Sequence, residues 1–411
     1  MKLDVKAWLT LGGMVAGLII AMVVINAADD PRSDVITVPE VVKAEIEPIN
    51  SGSEVVLQNK EPAKSKFVHY RVGKRNVKSI YADKDNVVWV GTSGGVVRYN
   101  LTDDSYEHFD VRSGLLANGV FHVSRTRHGI AVGTYGGGLA ILNEQTGEWK
   151  NYNVPEGLGD AFVYDLIEVA NGDIWIATWT GVNRIAKGEL DNPDAWQVYT
   201  VANTSTGADN QGLPNDWVYG LHEGKNNDVW LATEGGLAHF KYNDESWEHW
   251  THKDGLGIEY EKVKDSNPFS RDPAQYSSHH ARQKIEQGLT GVNSAYNPNY
   301  VVALTVDQQG RAWVGTWGAG LSRYDGNEWV TYTTEEGLPS NHVFMAESDA
   351  EGLWIGTSHG MVLMSEDGQV QQSFSTEDGL YSNTVFSLGR DASGAFWIGS
   401  YGGVARVTSL R

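Results

Sequence analysis

A four-residue pattern closes a short apolar run seven times along this chain. It reads WVGT at 89–92, AVGT at 131–134, WIAT at 175–178, WLAT at 230–233, WVGT at 313–316, WIGT at 354–357 and WIGS at 397–400. Glycines usually follow at once, as in Gly94-Gly95, Gly136-Gly137-Gly138, Gly235-Gly236 and Gly402-Gly403. A period of about 42 residues built from short strands and tight turns is the signature of a β-propeller, with one repeat to each blade. In the third repeat, turn residues cut the segment into four strands, at 163–169, 173–178, 182–185 and 196–200. The expected fold is therefore all-β: a single seven-bladed β-propeller of four-stranded blades over residues 66–411.

Most repeated residues read as structural. A DxxG turn, as at 307–310 and 391–394, uses Asp to bond the backbone ahead and Gly to take a positive φ. The fourth strand carries an aromatic pair three apart: Tyr106 and Phe109, Trp149 and Tyr152, Trp196 and Tyr199, Trp247 and Trp250, Trp329 and Tyr332. Large rings at fixed repeat positions bury area between adjacent sheets, which assigns most of the 15 tryptophans to packing. The last repeat ends at Arg411 without a fourth strand, whereas Phe67 and Tyr70 show the same spacing ahead of the first repeat. The N-terminal strand is thus expected to complete the last blade in a 3+1 closure that hides a sheet edge.

Composition narrows the function classes. A formal net charge of -20 argues against nucleic acid and anionic membrane surfaces as partners. The absence of cysteine removes disulfides, covalent haem, thiolate zinc and iron-sulfur clusters, and no cofactor or metal is expected. Residues 7–28 form an uncharged apolar stretch preceded by Lys2 and Lys6 and followed by Asp29 and Asp30. Its length suits a single transmembrane helix at residues 1–28 that tethers an exported propeller. A cleaved signal sequence ending near Asn26-Ala27-Ala28 is the other reading, which gives a secreted protein. Residues 29–65, with four prolines and no sustained periodicity, read as a linker.

Successive quartets are about 42, 44, 55, 83, 41 and 43 residues apart, so two connections carry inserts, at 201–210 and 258–299. In a four-stranded meander, the connection leaving strand four and the turn between strands two and three share a face. Both inserts therefore share one side of the disc with the residue after each quartet: Ser93, Tyr135, Trp179, Glu234, Trp317, Ser358 and Tyr401. The aromatic members Tyr135, Trp179, Trp317 and Tyr401 suit stacking on a sugar or ring at the channel mouth, with packing of their own turns as the plain reading. Asn341 and Asn383, which recur after the GL dipeptide like Asn118, either contact the ligand or close their loops. In the large insert, Tyr260, Arg271, Tyr276, His279, His280 and Arg282 offer a polar and aromatic surface for a docked protein. His279 and His280 read as solvated side chains, a poor metal pair without further ligands.

No nucleophile elbow, zinc-protease motif or cysteine nucleophile occurs. His122 and His222 lie on first strands and approach the channel, which leaves a histidine-dependent lyase as an alternative. The unit VxxL, DxxG, WxGT, GG, aromatic-x-x-aromatic and GLxxN resembles the two-component regulator propeller repeat of periplasmic ligand-binding sensors, over residues 67–411. That resemblance implies carbohydrate or other small-molecule sensing outside the inner membrane, here without the family's kinase. With the apolar N-terminal stretch, which departs from that family's plan, the leading expectation is a tethered propeller with a ligand or protein partner; a scaffold subunit of an envelope complex and a streptogramin-lyase-like enzyme are the alternatives.

Overall fold

The computed structural model describes residues 67–83, 85–266 and 272–410. The anchor and linker expected at 1–65, and Arg271 of the insert, lie outside the described residues. Among those described, no helix is long and apolar enough to cross a membrane.

The chain is an all-β propeller. Five antiparallel sheets contain four strands each, and a sixth sheet contains six strands. The six-stranded sheet arises because Phe67–Ala82 serves two sheets. Its residues 77–82 pair with Val87–Thr92, whereas 67–71 pair antiparallel with the end of Phe396–Val407, from Phe67 opposite Val407 to Arg71 opposite Gly403. The expected exchange of the N-terminal strand is therefore present. Each four-stranded sheet begins with an inner strand and the six-stranded sheet holds two, which makes seven: residues 77–82, then Val120–Thr126, Val163–Glu168, Val218–Glu223, Asn297–Val306, Val343–Asp349 and Val385–Arg390. Every inner strand touches the next, and the last touches the first, so the series closes on itself.

The quartet sets this geometry residue by residue. Its tryptophan is fully enclosed between sheets, as at Trp89, Trp175, Trp313, Trp354 and Trp397. It stacks on the second aromatic of the outer strand: Trp89 on Phe109, Trp175 on Tyr199, Trp230 on Trp250, Trp313 on Tyr332. Across the closure, Tyr70 stacks on Trp397 with centroids 4.9 Å apart and planes at 24°, so the N-terminal segment reproduces the contact made inside other blades. The indole N–H of Trp313, Trp354 and Trp397 donates to Asp307, Asp349 and Asp391 at 2.8, 3.0 and 2.9 Å. Those turn carboxylates also pair with Arg311, Arg390 and Arg406.

The third quartet residue is small because the next blade occupies its space. A Cβ at Gly91 would lie 2.8 Å from Val120 of the following inner strand, and one at Gly399 would lie 2.7 Å from Val77 across the closure. The fourth residue organises the turn: Thr92 Oγ donates to the Gly95 carbonyl at 2.9 Å and accepts from the Gly94 N–H at 3.0 Å. The same pair of bonds recurs at Thr134, Thr178, Thr233, Thr316 and Thr357.

The inserts depart from the all-β expectation. The smaller opens with helix α1 (Val201–Thr204), and the larger contains α2 (Tyr260–Val263) and α3 (Ser278–Glu286). The larger insert packs a small core onto the propeller, in which Val263 and Tyr296 are buried with Ala319 of the neighbouring blade turn and Ile258, Tyr260, Leu289 and Val292 pack against them. Lys284 pairs with Asp272 at 2.7 Å inside it.

Two outcomes follow for stability. Deleting residues through Tyr70 exposes the edge of Phe396–Val407 and removes the Trp397 stack, so the melting temperature should fall sharply. Tyr70→Ala alone should cost about 2 to 4 kcal/mol in chemical denaturation. Burial works to raise the Asp391 pKa, but the bonds from Ser393, Trp397 and Arg406 outweigh it and hold the carboxyl below its usual range. Its contribution is present above the unfolded pKa of about 3.9 and is lost as pH falls through the lower folded value. Asp391→Asn should therefore lower the melting temperature at pH 7, and the gap from the unaltered protein should shrink at pH 3.

Candidate functional site

The inner strands enclose a central cavity of about 740 Å³. Every one of them carries a β-bulge at the same place. Valines 77, 120, 163, 218, 301, 343 and 385 each pair with the last quartet residue, and the residue two further on pairs with the quartet's third. The residue between has no partner in the ladder. A bulge bends the strand and re-aims this extra side chain. The seven residues so placed are Lys78, Phe121, Tyr164, Tyr219, Val302, Phe344 and Phe386, and all of them line the cavity.

These side chains form a collar of touching groups. Phe121 stacks on Tyr164 at 4.3 Å, Tyr164 meets Tyr219 edge-on at 4.8 Å, and Tyr219 lies 5.0 Å from Tyr300. Tyr300 stacks on Trp317, which approaches Phe344, which approaches Phe386. The Lys78 ammonium sits 4.0 Å over the Phe386 ring. Because each inner strand starts at the face carrying the inserts, the residues after the collar lie deeper in the channel.

Those deeper residues include four titratable groups. His122 Nδ1 lies 2.7 Å from Asp165 Oδ1. The Asp165 carboxylate also accepts from the Leu166 and Leu221 N–H groups, at 2.9 and 2.7 Å, so it ties three blades together. With Nδ1 donating to the carboxylate, the other ring nitrogen of neutral His122 is an acceptor. That Nε2 is buried without a hydrogen-bond partner, and the Tyr164 hydroxyl is buried beside the Trp179 indole. Glu347 is open to the channel space, yet the protein around the channel, with the Asp165 and Asp349 charges, pushes its carboxyl up to about 7. Burial lowers the His222 pKa, although a bond to the Glu223 carbonyl opposes this.

Of the four aromatic residues singled out after the quartets, Trp317 and Tyr401 line the cavity. Trp179 instead sits within a column of rings, between Phe162 at 4.0 Å and Trp217 at 4.5 Å, and is only 8% exposed. Tyr135 meets Phe162 edge-on beside that column. Asn341 and Asn383 accept from the N–H groups of Thr334 and Thr376 at 3.0 and 2.8 Å, which closes their loops. Neither asparagine is among the residues lining the cavity.

His279 and His280 differ from the expected solvated pair. The fully buried carboxylate of Glu234 lies 3.0 Å from His279 Nε2 and 3.7 Å from His280 Nε2, and it accepts from the Tyr219 hydroxyl at 3.0 Å. His279 also stacks on Trp217 at 3.5 Å, which ends the Phe162 column. Burial works to raise the Glu234 pKa, but His280, His279 and Tyr219 overcome it, and the group stays below its usual value. Helix α3 is thus seated on the propeller through one carboxylate that also touches the collar. The outward surface of the insert retains Tyr276, Arg282 and Ile285, whereas Tyr260 packs against Tyr296 inside it.

The periodic signal for the collar was a valine followed by an aromatic residue at 120–121, 163–164, 218–219, 343–344 and 385–386. The signal for the seat of helix α3 was a lone acid, Glu234, in a series otherwise aromatic or serine.

Three segments, at 72–94, 157–180 and 295–318, match the family model described as two component regulator propeller. No curated protein matches the sequence. Among solved structures, the extracellular domain of a putative hybrid two component system from B. thetaiotaomicron is similar at a TM-score of 0.58 and 17% identity, over 81% of this chain and 40% of that one. This chain thus spans well under half of that neighbour's length. Virginiamycin B lyase from Staphylococcus aureus with quinupristin is similar at a TM-score of 0.56 and 13% identity, over 84% of this chain and 99% of that one. YCF48 from Cyanidioschyzon merolae follows at a TM-score of 0.53 and 10% identity, over 83% and 98%. Identities this low establish a shared fold and no more. This chain is a β-propeller in which three segments match the two component regulator propeller model.

Proposed function

We propose that this chain is an exported, membrane-tethered sensor: a seven-bladed propeller that binds a small molecule in its central channel and takes part in envelope signalling. The observation that carries this reading is the collar. All seven inner strands bulge at one level and turn a side chain into the same cavity. A concave site of a few hundred Å³ lined by aromatic groups with a few polar ones is the usual form of a small-molecule site. The aromatic faces suit a ring, and the polar side chains of His122 and Tyr164 in the same lining suit hydroxyl groups on it. The two component regulator propeller match supports a sensing role. A tether at residues 1–28 would hold the propeller on the far side of the membrane, and the outward surface of the insert would take the protein partner.

A lyase is the second reading. It is favoured by the His122–Asp165 pair, in which a carboxylate orients an imidazole on the channel wall. The likeness to virginiamycin B lyase agrees with it in fold.

Calorimetric titration with neutral and acidic mono- and oligosaccharides tests the sensor reading. Saturable binding of one class is expected, with at least a roughly tenfold loss in Val302→Trp, which fills the collar. Binding that survives Val302→Trp, or no binding across the set, would contradict it. Turnover of quinupristin that disappears in His122→Ala would instead establish the lyase.

A further inference from the structure

Lys78 is the exception in the collar. The other six bulged positions hold aromatic residues or valine, whereas the first inner strand turns an ammonium into the cavity. Among the described residues it makes no ion pair and no hydrogen bond; its one described contact is the Phe386 ring at 4.0 Å. The carboxylates that line the same cavity do not serve it. Both oxygens of Asp165 are held by His122 and two backbone N–H groups, and Glu347 lies three residues deeper than the collar on its own strand. From the neighbouring inner strands, His122 faces the channel on one side and Phe386, Ser387 and Leu388 on the other; Tyr401 also lines it. Enclosure lowers the Lys78 pKa to about 8.

Lys78 is partly buried on the channel wall, and a cation–π contact replaces only part of the hydration its ammonium loses there. Such a group is useful where a ligand brings the opposite charge. The protein carries a net charge of -20, so its overall field does not gather anions; the attraction is local to this one group. A single ammonium also matches one negative charge better than a phosphate dianion, which calls for further donors such as Arg or a run of backbone N–H groups.

We propose that the channel ligand is a ring compound bearing a carboxylate, with the ring packed on the collar and the carboxylate paired with Lys78. This rests on the channel being the binding site.

The test uses two acids and their neutral amides, benzoate with benzamide and glucuronate with glucuronamide, titrated at pH 7 into the full chain and read by ligand-observed NMR. At least one acid should bind, with its amide weaker by on the order of tenfold. Lys78→Met should lose about the same factor, and Lys78→Arg should keep the acid bound. Lys78→Met should also melt at the same or a higher temperature, because it removes an unpaired charge. A fall in melting temperature would reveal a structural partner and overturn the assignment. Equal binding of acid and amide, both blocked by Val302→Trp, would remove the role of Lys78 and leave the channel site standing. No binding of any probe would overturn both.

Discussion

Everything in this molecule depends on how closely one blade approaches the next. At the third quartet residue of five blades there is room for a hydrogen and little else, because the valine that opens the next inner strand fills the space where a Cβ would stand; the other two blades carry alanine there. The adjoining tryptophan is enclosed and fixed between its outer-strand aromatic and, in three blades, a turn carboxylate. Close packing of this kind tolerates little displacement. Once the valine is seated against the glycine, the rest of the inner strand must continue from that point. The bulge follows immediately after it in every blade, so the same contact that sets the blade spacing also sets the level of the collar.

Closure obeys the same rule. Gly399 meets Val77 and Trp397 meets Tyr70, which places the first and last segments of the described chain in the contacts that other blades make internally. The repeating unit therefore has no special joint, although one of its sheets is assembled from both ends. This is why Phe67 and Tyr70 were legible in advance: they obey an aromatic spacing that the other outer strands had already defined.

The candidate site was less legible, for physical reasons. The quartets, turns and aromatic pairs recur because they meet the same neighbours in each blade, and recurrence makes them visible. A bulge leaves no composition of its own, and a Phe or Tyr after Val reads as ordinary strand sequence until its register is known. The aromatic residues after the quartets were more conspicuous, yet Trp179 is absorbed by the ring column and only Trp317 and Tyr401 reach the cavity. The insert histidines were misplaced because their partner, Glu234, is distant in sequence and fully buried. A carboxylate at that position in a series of aromatics was the cue that the insert docks there.

The central claim is that the bulged collar, with Lys78 in it, is where a ligand binds. A crystal of the protein soaked in 4-bromobenzoate offers the most direct test, because bromine marks the ring by its anomalous signal. The account predicts a peak inside the channel at the level of the collar, with the carboxylate against Lys78. A peak confined to the outer surface of the insert, or a channel left empty while the compound binds elsewhere, would contradict it.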